Sequence, residues 1–160
     1  MQVGFIKNLR KIQEAGERKA LLISATGTGK TYASAFAMRE LGFQRVLFLV
    51  HRNQIAKQAK KSFRKVFSGQ VSMGLVTGKY QEYDKDFIFA TIQTLSKEEN
   101  LQRYEKTAFD AIVIDEAHHS AANSYKKVLE YFEPKLWLGM TATPDKRDDN
   151  LEGRKIYEIF

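Results

Sequence analysis

The chain has 160 residues, of which 43% are hydrophobic and 28% charged, and it contains no cysteine. That length supports one domain with a proper core rather than two. The composition excludes a disordered tail, a collagen-like repeat and a disulfide-stapled mini-protein, and the lack of cysteine removes cysteine-ligated zinc and iron–sulfur chemistry. The formal net charge of +7 is unevenly spread: residues 1–70 carry 14 basic and 3 acidic side chains, net +11, and residues 71–160 carry 12 and 16, net −4. A surface this lopsided suits polyanions such as nucleic acid or nucleotides, with a merely well-solvated surface as the alternative. The longest aliphatic or aromatic run, Val46 to Val50, is far too short to span a membrane. Lys7, Arg10 and Lys11 stand where a signal peptide needs apolar residues, so the expectation is a soluble, cytoplasmic protein with no membrane partner.

In chain order, Phe5, Ile6, Leu9 and Ile12 recur at helical spacing and predict an amphipathic first helix. Leu21 to Ser24 reads as a short buried strand, followed by a Gly-rich turn and a helix from about Lys30 to Leu41 that Gly42 stops. Arg45 to Val50 is the next strand and Gln54 to Phe67 the next helix. Val71 to Val76 and Phe87 to Thr91 read as strands, with a polar turn containing Gly78 between them. Ala111 to Asp115 is a strand, Ser124 to Phe132 a helix and Leu136 to Thr141 a strand; the charged segment after Pro144 reads as a loop. Apolar runs alternating with helical patterns indicate an α/β fold with a mostly parallel central sheet and helices on both faces.

The segment Ala25-Thr26-Gly27-Thr28-Gly29-Lys30-Thr31 falls between a buried strand and a helix. Glycines let successive backbone N–H groups turn towards one point, where the helix N-terminus adds positive character. Lys30 would reach the β- and γ-phosphates of a nucleotide and the Thr31 hydroxyl would bind magnesium. The general phosphate-loop pattern asks for glycine at the position of Ser24, so the match departs there. A second magnesium contact is supplied by the strand Ala111 to Ile114, which ends in Asp115-Glu116-Ala117-His118. Asp115 would hold the ion and Glu116 would polarise the attacking water as general base. His118 and His119 do not have the spacing of a zinc site; His118 suits a hydrogen-bonding role near the nucleotide.

With both sites in view, the sequence resembles superfamily-two helicases of the DEAD/DEAH class, in the branch like type III restriction subunits. Ala-x-x-Gly-x-Gly-Lys-Thr is the usual first motif there, which accommodates Ser24, and Asp115 to His118 spells the second. Thr141-Ala142-Thr143-Pro144 resembles the third, which links ATP state to nucleic-acid grip. His51-Arg52-Asn53-Gln54-Ile55, Thr77-Gly78 and Thr91-Ile92-Gln93-Thr94-Leu95 resemble the strand-contacting motifs, and Gln2 sits where an adenine-reading glutamine often lies. The resemblance implies a RecA-like P-loop ATPase lobe over residues 1–160 that binds ATP and Mg2+ and contacts nucleic acid, with DNA favoured over RNA. It also implies a second RecA-like lobe in a longer parent protein, since the residues after Thr143 are too few for a domain. Without that lobe's arginine finger the isolated chain is expected to be nearly inactive.

The helix after Arg52 adds independent support. At 100° per residue Lys57, Lys60, Lys61, Arg64 and Lys65 fall on one face, opposite Ile55, Ala59, Phe63 and Val66. Such a stripe could neutralise phosphates or be an ordinary solvated face. Phe48, Phe87, Phe89, Tyr131, Phe132 and Trp137 read as core, and Tyr80 and Tyr83 as solvated loop residues. The leading reading is an ATP-dependent helicase or translocase lobe. A nucleotide-gated nucleic-acid-binding module without productive hydrolysis and a small-molecule kinase are the competitors; the intact Glu116 argues against the first, and the second does not explain the Asp-Glu-Ala-His and Thr-Ala-Thr segments together.

Overall fold

A computed structural model describes residues 2–24, 27–115 and 123–142. The elements are α1 (Gln2–Glu14), β1 (Lys19–Ser24), α2 (Gly27–Glu40), β2 (Val46–Val50), α3 (Asn53–Phe67), β3 (Met73–Val76), β4 (Phe87–Thr91), α4 (Ile92–Leu95), α5 (Glu98–Leu101), β5 (Ala111–Ile114), α6 (Asn123–Tyr131) and β6 (Leu136–Ala142). The six strands form one sheet in the order β1-β6-β5-β2-β4-β3. Every neighbouring pair is parallel. Each strand therefore has its carboxyl end on the same edge of the sheet.

The strands of a sheet covered on both faces read as unbroken apolar runs, and β2, β4 and β5 are buried at every position. Alternation decides which face each residue serves. Val46, Phe48 and Val50, with Phe87, Phe89, Ala111, Val113, Leu136, Leu138 and Met140, point into the core beneath α1, α2 and α3. Leu47, Leu49, Ile88, Ala90, Ile112, Ile114 and Trp137 point into the core beneath α4, α5 and α6. The first core is centred on Phe63 of α3, whose ring lies edge-on to Phe48 and Phe89 at centroid distances of 5.5 and 5.1 Å. The buried stripe of α3 is Ala56, Ala59, Phe63 and Phe67. Ile55 and Val66, expected on the apolar face, flank the buried stripe half-buried, a rotation of the expected face by about half a residue step.

Several boundaries differ from the sequence reading. Helix α2 starts at Gly27, three residues before the expected Lys30, because the glycines of the loop supply its first turn. It ends as expected: Gly42 takes φ 74°, the Phe43 N–H bonds to Met38 O and the Gly42 N–H to Arg39 O, a Schellman closure that only glycine makes without strain. The short helices α4 and α5 were not expected, since four residues carry too little periodicity to register. The polar segment after β3 is more ordered than a simple turn. It folds back so that Val76 pairs antiparallel with Gln81, and the Glu82 carboxylate accepts the Leu75 N–H at 3.0 Å. This return covers the outer edge of β3, where unpaired backbone groups would otherwise be exposed.

The close return leaves no room at Gly74. A Cβ there would lie 2.7 Å from the Glu82 carbonyl oxygen, a backbone atom. Gly74→Ala is therefore expected to destabilise the fold by about 1–3 kcal/mol, the usual cost of overpacking. Urea denaturation checks it, and an unchanged midpoint would mean that the 77–86 segment is not seated against β3. The charged segment after Pro144 lies outside the described residues. Among the described residues, no helix is long and apolar enough to cross a membrane.

Candidate functional site

Both halves of the expected nucleotide site converge on the carboxyl edge of the sheet. Lys30 lies in the first turns of α2 and is 3% exposed; Asp115 follows the last residue of β5 and is 8% exposed. They come from strands separated by β6, yet the Lys30 Nζ stands 3.4 Å from Asp115 Oδ1. A cation near a helix N-terminus opposes the helix dipole, and a buried ammonium needs a counter-charge. Asp115 supplies that counter-charge, so the pair is an arrangement held by tertiary structure against local preference. The 3.4 Å separation exceeds that of a close charge-assisted bond.

The helix N-terminus at Gly27, Thr28 and Gly29 and the Lys30 ammonium have the donor chemistry for phosphate. Asp115 and the Thr31 hydroxyl offer the hard oxygen donors that magnesium takes, the ion's other positions ordinarily being water and substrate phosphate. The helix is braced at this point, with the fully buried Ser34 hydroxyl donating to Thr31 O at 2.7 Å. Thr141 lies in β6 in register with Ile23 of β1, placing it between the strand that leads into the phosphate loop and the strand that carries Asp115. Gln2 begins α1. Ala25, Thr26, Glu116, His118 and Thr143 lie outside the described residues. No group of three or more His, Asp or Glu side chains gathers as a metal cluster among the described residues.

The other expected contacts occupy the far half of the same edge, after β2, β4 and β3. His51 follows β2 and is half-buried. Its Nε2 stands 3.3 Å from the Tyr125 hydroxyl, the rings meeting edge-on at 5.5 Å. Tyr125 belongs to α6 and is fully buried; it was not anticipated, because nothing local links residues 74 apart in sequence. Arg52 is the exposed N-cap of α3 and Gln54 is exposed in its first turn. Thr77 and Thr91 are buried. The Thr77 hydroxyl accepts the Lys79 N–H at 3.2 Å, and the Thr91 hydroxyl donates to Thr94 Oγ1 at 3.0 Å, so both shape their own turns. Gly78 and Gln93 are exposed and Thr94 is half-buried.

Thr77, Gly78 and Thr94 meet across one cavity of about 220 Å3, which Lys97, Asn100 and Arg103 also line. These last three were missed in the sequence; the signal that could have found them is two cations within ten residues of the Thr91–Leu95 segment. Asn100 knits the cavity walls together. Its amide donates to Thr94 O at 2.6 Å and its carbonyl accepts the Tyr83 hydroxyl at 2.7 Å. Tyr83 is accordingly a half-buried structural residue rather than the solvated loop tyrosine expected. Arg103 lies 4.2 Å over its ring and Tyr104 donates to its carbonyl oxygen at 2.9 Å. Burial holds the Tyr104 phenol well above its usual value, which keeps it a donor. Tyr80 is exposed, as expected.

A parallel sheet with helices on both faces, a glycine-initiated helix after β1 and a buried lysine facing an aspartate at the end of β5 define a RecA-like P-loop ATP-binding fold. Comparison with known proteins gives the family. Residues 1–146 match the type III restriction enzyme, res subunit family. The chain belongs to that family, and it is a first lobe of the superfamily-two helicase kind. It is 34% identical over 150 residues to the Saccharomyces cerevisiae protein named "Putative ATP-dependent helicase IRC3", covering 83% of this chain and 21% of that one. The Pyrococcus furiosus Hef helicase domain superposes with a TM-score of 0.75 at 22% identity, over 99% of this chain and 35% of that one. The Sulfolobus solfataricus SWI2/SNF2 ATPase core in complex with dsDNA superposes with a TM-score of 0.71 at 21% identity, over 97% and 34%. The chain thus spans about a sixth to a fifth of the length of the curated relatives it matches.

Proposed function

We propose that residues 1–160 form one motor lobe that binds ATP with magnesium and couples its hydrolysis to remodelling or translocation on nucleic acid, DNA in preference to RNA. The observation that carries this reading is the buried Lys30–Asp115 pair, 3.4 Å apart at the strand-carboxyl edge. In this reading the amides of residues 25–29 and the Lys30 ammonium hold the β- and γ-phosphates. Thr31 and Asp115 hold the magnesium ion, whose charge offsets that of the phosphates. Glu116 takes the proton of the attacking water, His118 hydrogen-bonds near the nucleotide and Gln2 reads the adenine. Thr141 and Thr143 relay nucleotide state to the other half of the edge. There His51, Arg52, Gln54, Thr77, Gly78, Thr91, Gln93 and Thr94 contact the sugar–phosphate backbone, which positions a strand without reading its sequence. The preference for DNA rests on the restriction-subunit family match and on the S. solfataricus neighbour's dsDNA complex. A second RecA-like lobe of a cytoplasmic parent protein supplies the missing arginine.

Calorimetric titration of ADP into the 160-residue chain tests the nucleotide half. Saturable one-to-one binding in magnesium, weakened when EDTA removes the ion, is the expected result. Heat indistinguishable from dilution in both conditions would overturn the reading of the edge as a nucleotide site.

A further inference from the structure

Helix α3 carries a charge pattern that the nucleotide site does not use. Between Glu40 and Glu82 the sequence contains no Asp or Glu and eight Lys or Arg. Five of these, Lys57, Lys60, Lys61, Arg64 and Lys65, lie on α3 opposite its buried stripe; Lys60 is half-buried and the others exposed. Among the described residues none of the five is ion-paired to a carboxylate. Five of their pairings fall at i,i+3 or i,i+4, where like charges weaken a helix. The helix dipole rewards Arg64 and Lys65 in the last turn and does nothing for Lys57, Lys60 and Lys61. Neither helix stability nor ion pairing accounts for the stripe.

Its position does point to a use. Helix α3 begins three residues after β2 ends, so its N-terminus stands at the strand-carboxyl edge. The Lys57 Nζ lies 5.0 Å over the ring of Tyr80, two residues beyond Gly78. From there the stripe runs down the flank of the lobe for about 12 Å, eight residues at the helical rise. Beyond Tyr80 at its head it offers no exposed large apolar or aromatic anchor among the described residues, the feature on which protein partners concentrate their binding energy. Nor has it the apolar face that membrane-surface helices bury. Lysine-rich point charges in a row suit a polymer of phosphates that is gripped without being read.

We propose that the outer face of α3 is a second contact for the sugar–phosphate backbone, taking up a nucleic acid where it leaves the strand-carboxyl edge. The proposal rests on the reading of that edge as the nucleic-acid site. A triple variant, Lys61→Gln with Arg64→Gln and Lys65→Gln, tests it against a control that removes the same charge from the opposite face, Lys126→Gln with Lys127→Gln and Lys135→Gln. The probe is a 30-base-pair duplex DNA of mixed sequence, followed by fluorescence anisotropy between about 50 and 200 mM salt. Each lost phosphate contact removes roughly 0.9 from the slope of log affinity against log salt. The stripe variant is expected to lose about 2–3 from the slope and to bind at least about tenfold more weakly at low salt, with the control shifted by under about one unit. Its melting temperature should stay close to that of the unsubstituted chain, because the like-charge pairs removed offset the loss of the dipole-favoured Arg64 and Lys65. Equal slope changes in the two variants, or an unchanged slope in the stripe variant while the unsubstituted chain binds DNA, would overturn this inference alone. Failure of the unsubstituted chain to bind would remove the nucleic-acid reading of the edge and this inference with it.

Discussion

Lys30→Ala is expected to weaken magnesium-ADP binding by roughly 30- to 5,000-fold, the range that about 2–5 kcal/mol covers when one partner of a buried charge pair is truncated. The cause is local. The Lys30 ammonium is 3% exposed at the N-terminal end of α2, where the helix dipole and the loop amides already favour an anion, and it adds a full charge to that end. Asp115 Oδ1 stands 3.4 Å from it. A phosphate that approaches therefore meets a cation already desolvated and held in place, which lowers the cost of ordering it on binding. The variant also leaves the buried Asp115 carboxylate short of a cation. A melting curve of the nucleotide-free variant separates that structural loss from the loss of affinity. A folded variant that binds magnesium-ADP as tightly as the unsubstituted chain would show that the Lys30 amine does not meet the phosphates.

The largest expected change in stability comes from Phe63→Ala. Phe63 is fully buried and its ring meets four others, Phe48, Phe89, Phe87 and Phe67, at centroid distances of 5.5, 5.1, 6.1 and 6.2 Å. Three of those rings, Phe48 of β2 and Phe87 and Phe89 of β4, belong to neighbouring strands at the far half of the sheet, so Phe63 is where α3 is pinned to them. Removing the ring forfeits its transfer free energy and leaves a cavity that rigid neighbours cannot fill, about 3–5 kcal/mol for Phe→Ala in a core. The urea midpoint is expected to fall accordingly, with little change in the dependence on denaturant. The half-exposed Phe36 of α2, which meets Arg39 at 4.9 Å, is the comparison, and its alanine variant should cost far less. Equal losses at the two positions would mean that the aromatic cluster does not anchor α3.

Much of this lobe was legible from local pattern. The apolar runs of β2, β4 and β5 are buried on both faces and so leave continuous signatures. Helix α3 shows its amphipathic period because one side packs on Phe-rich strands and the other meets water. The phosphate loop and the Asp115 strand end were readable as motifs because their chemistry depends on residues adjacent in sequence. Elements shorter than a helical period, α4 and α5, left no such trace. Tyr83 was misread because its partners, Asn100, Arg103 and the carbonyl-bound Tyr104, are 17 or more residues away.

What the sequence by itself determined is therefore the identity of each strand, most of its register against water, and the chemical kind of each loop that follows. What only the tertiary structure decided is the order of those loops along the edge. In sequence the Lys30 loop, His51, Thr77, Thr91, Asp115 and Thr141 simply follow one another. The strand order β1-β6-β5-β2-β4-β3 sorts them, placing Lys30, Thr141 and Asp115 on one half of the edge and His51, Thr91 and Thr77 on the other. The physical reason is that strand order is set by non-local pairing and by which faces the crossover helices can cover, terms that no window of neighbouring residues contains. The same non-local packing brought Asp115 to a buried Lys30, Tyr125 to His51 and Tyr80 to the head of the basic stripe.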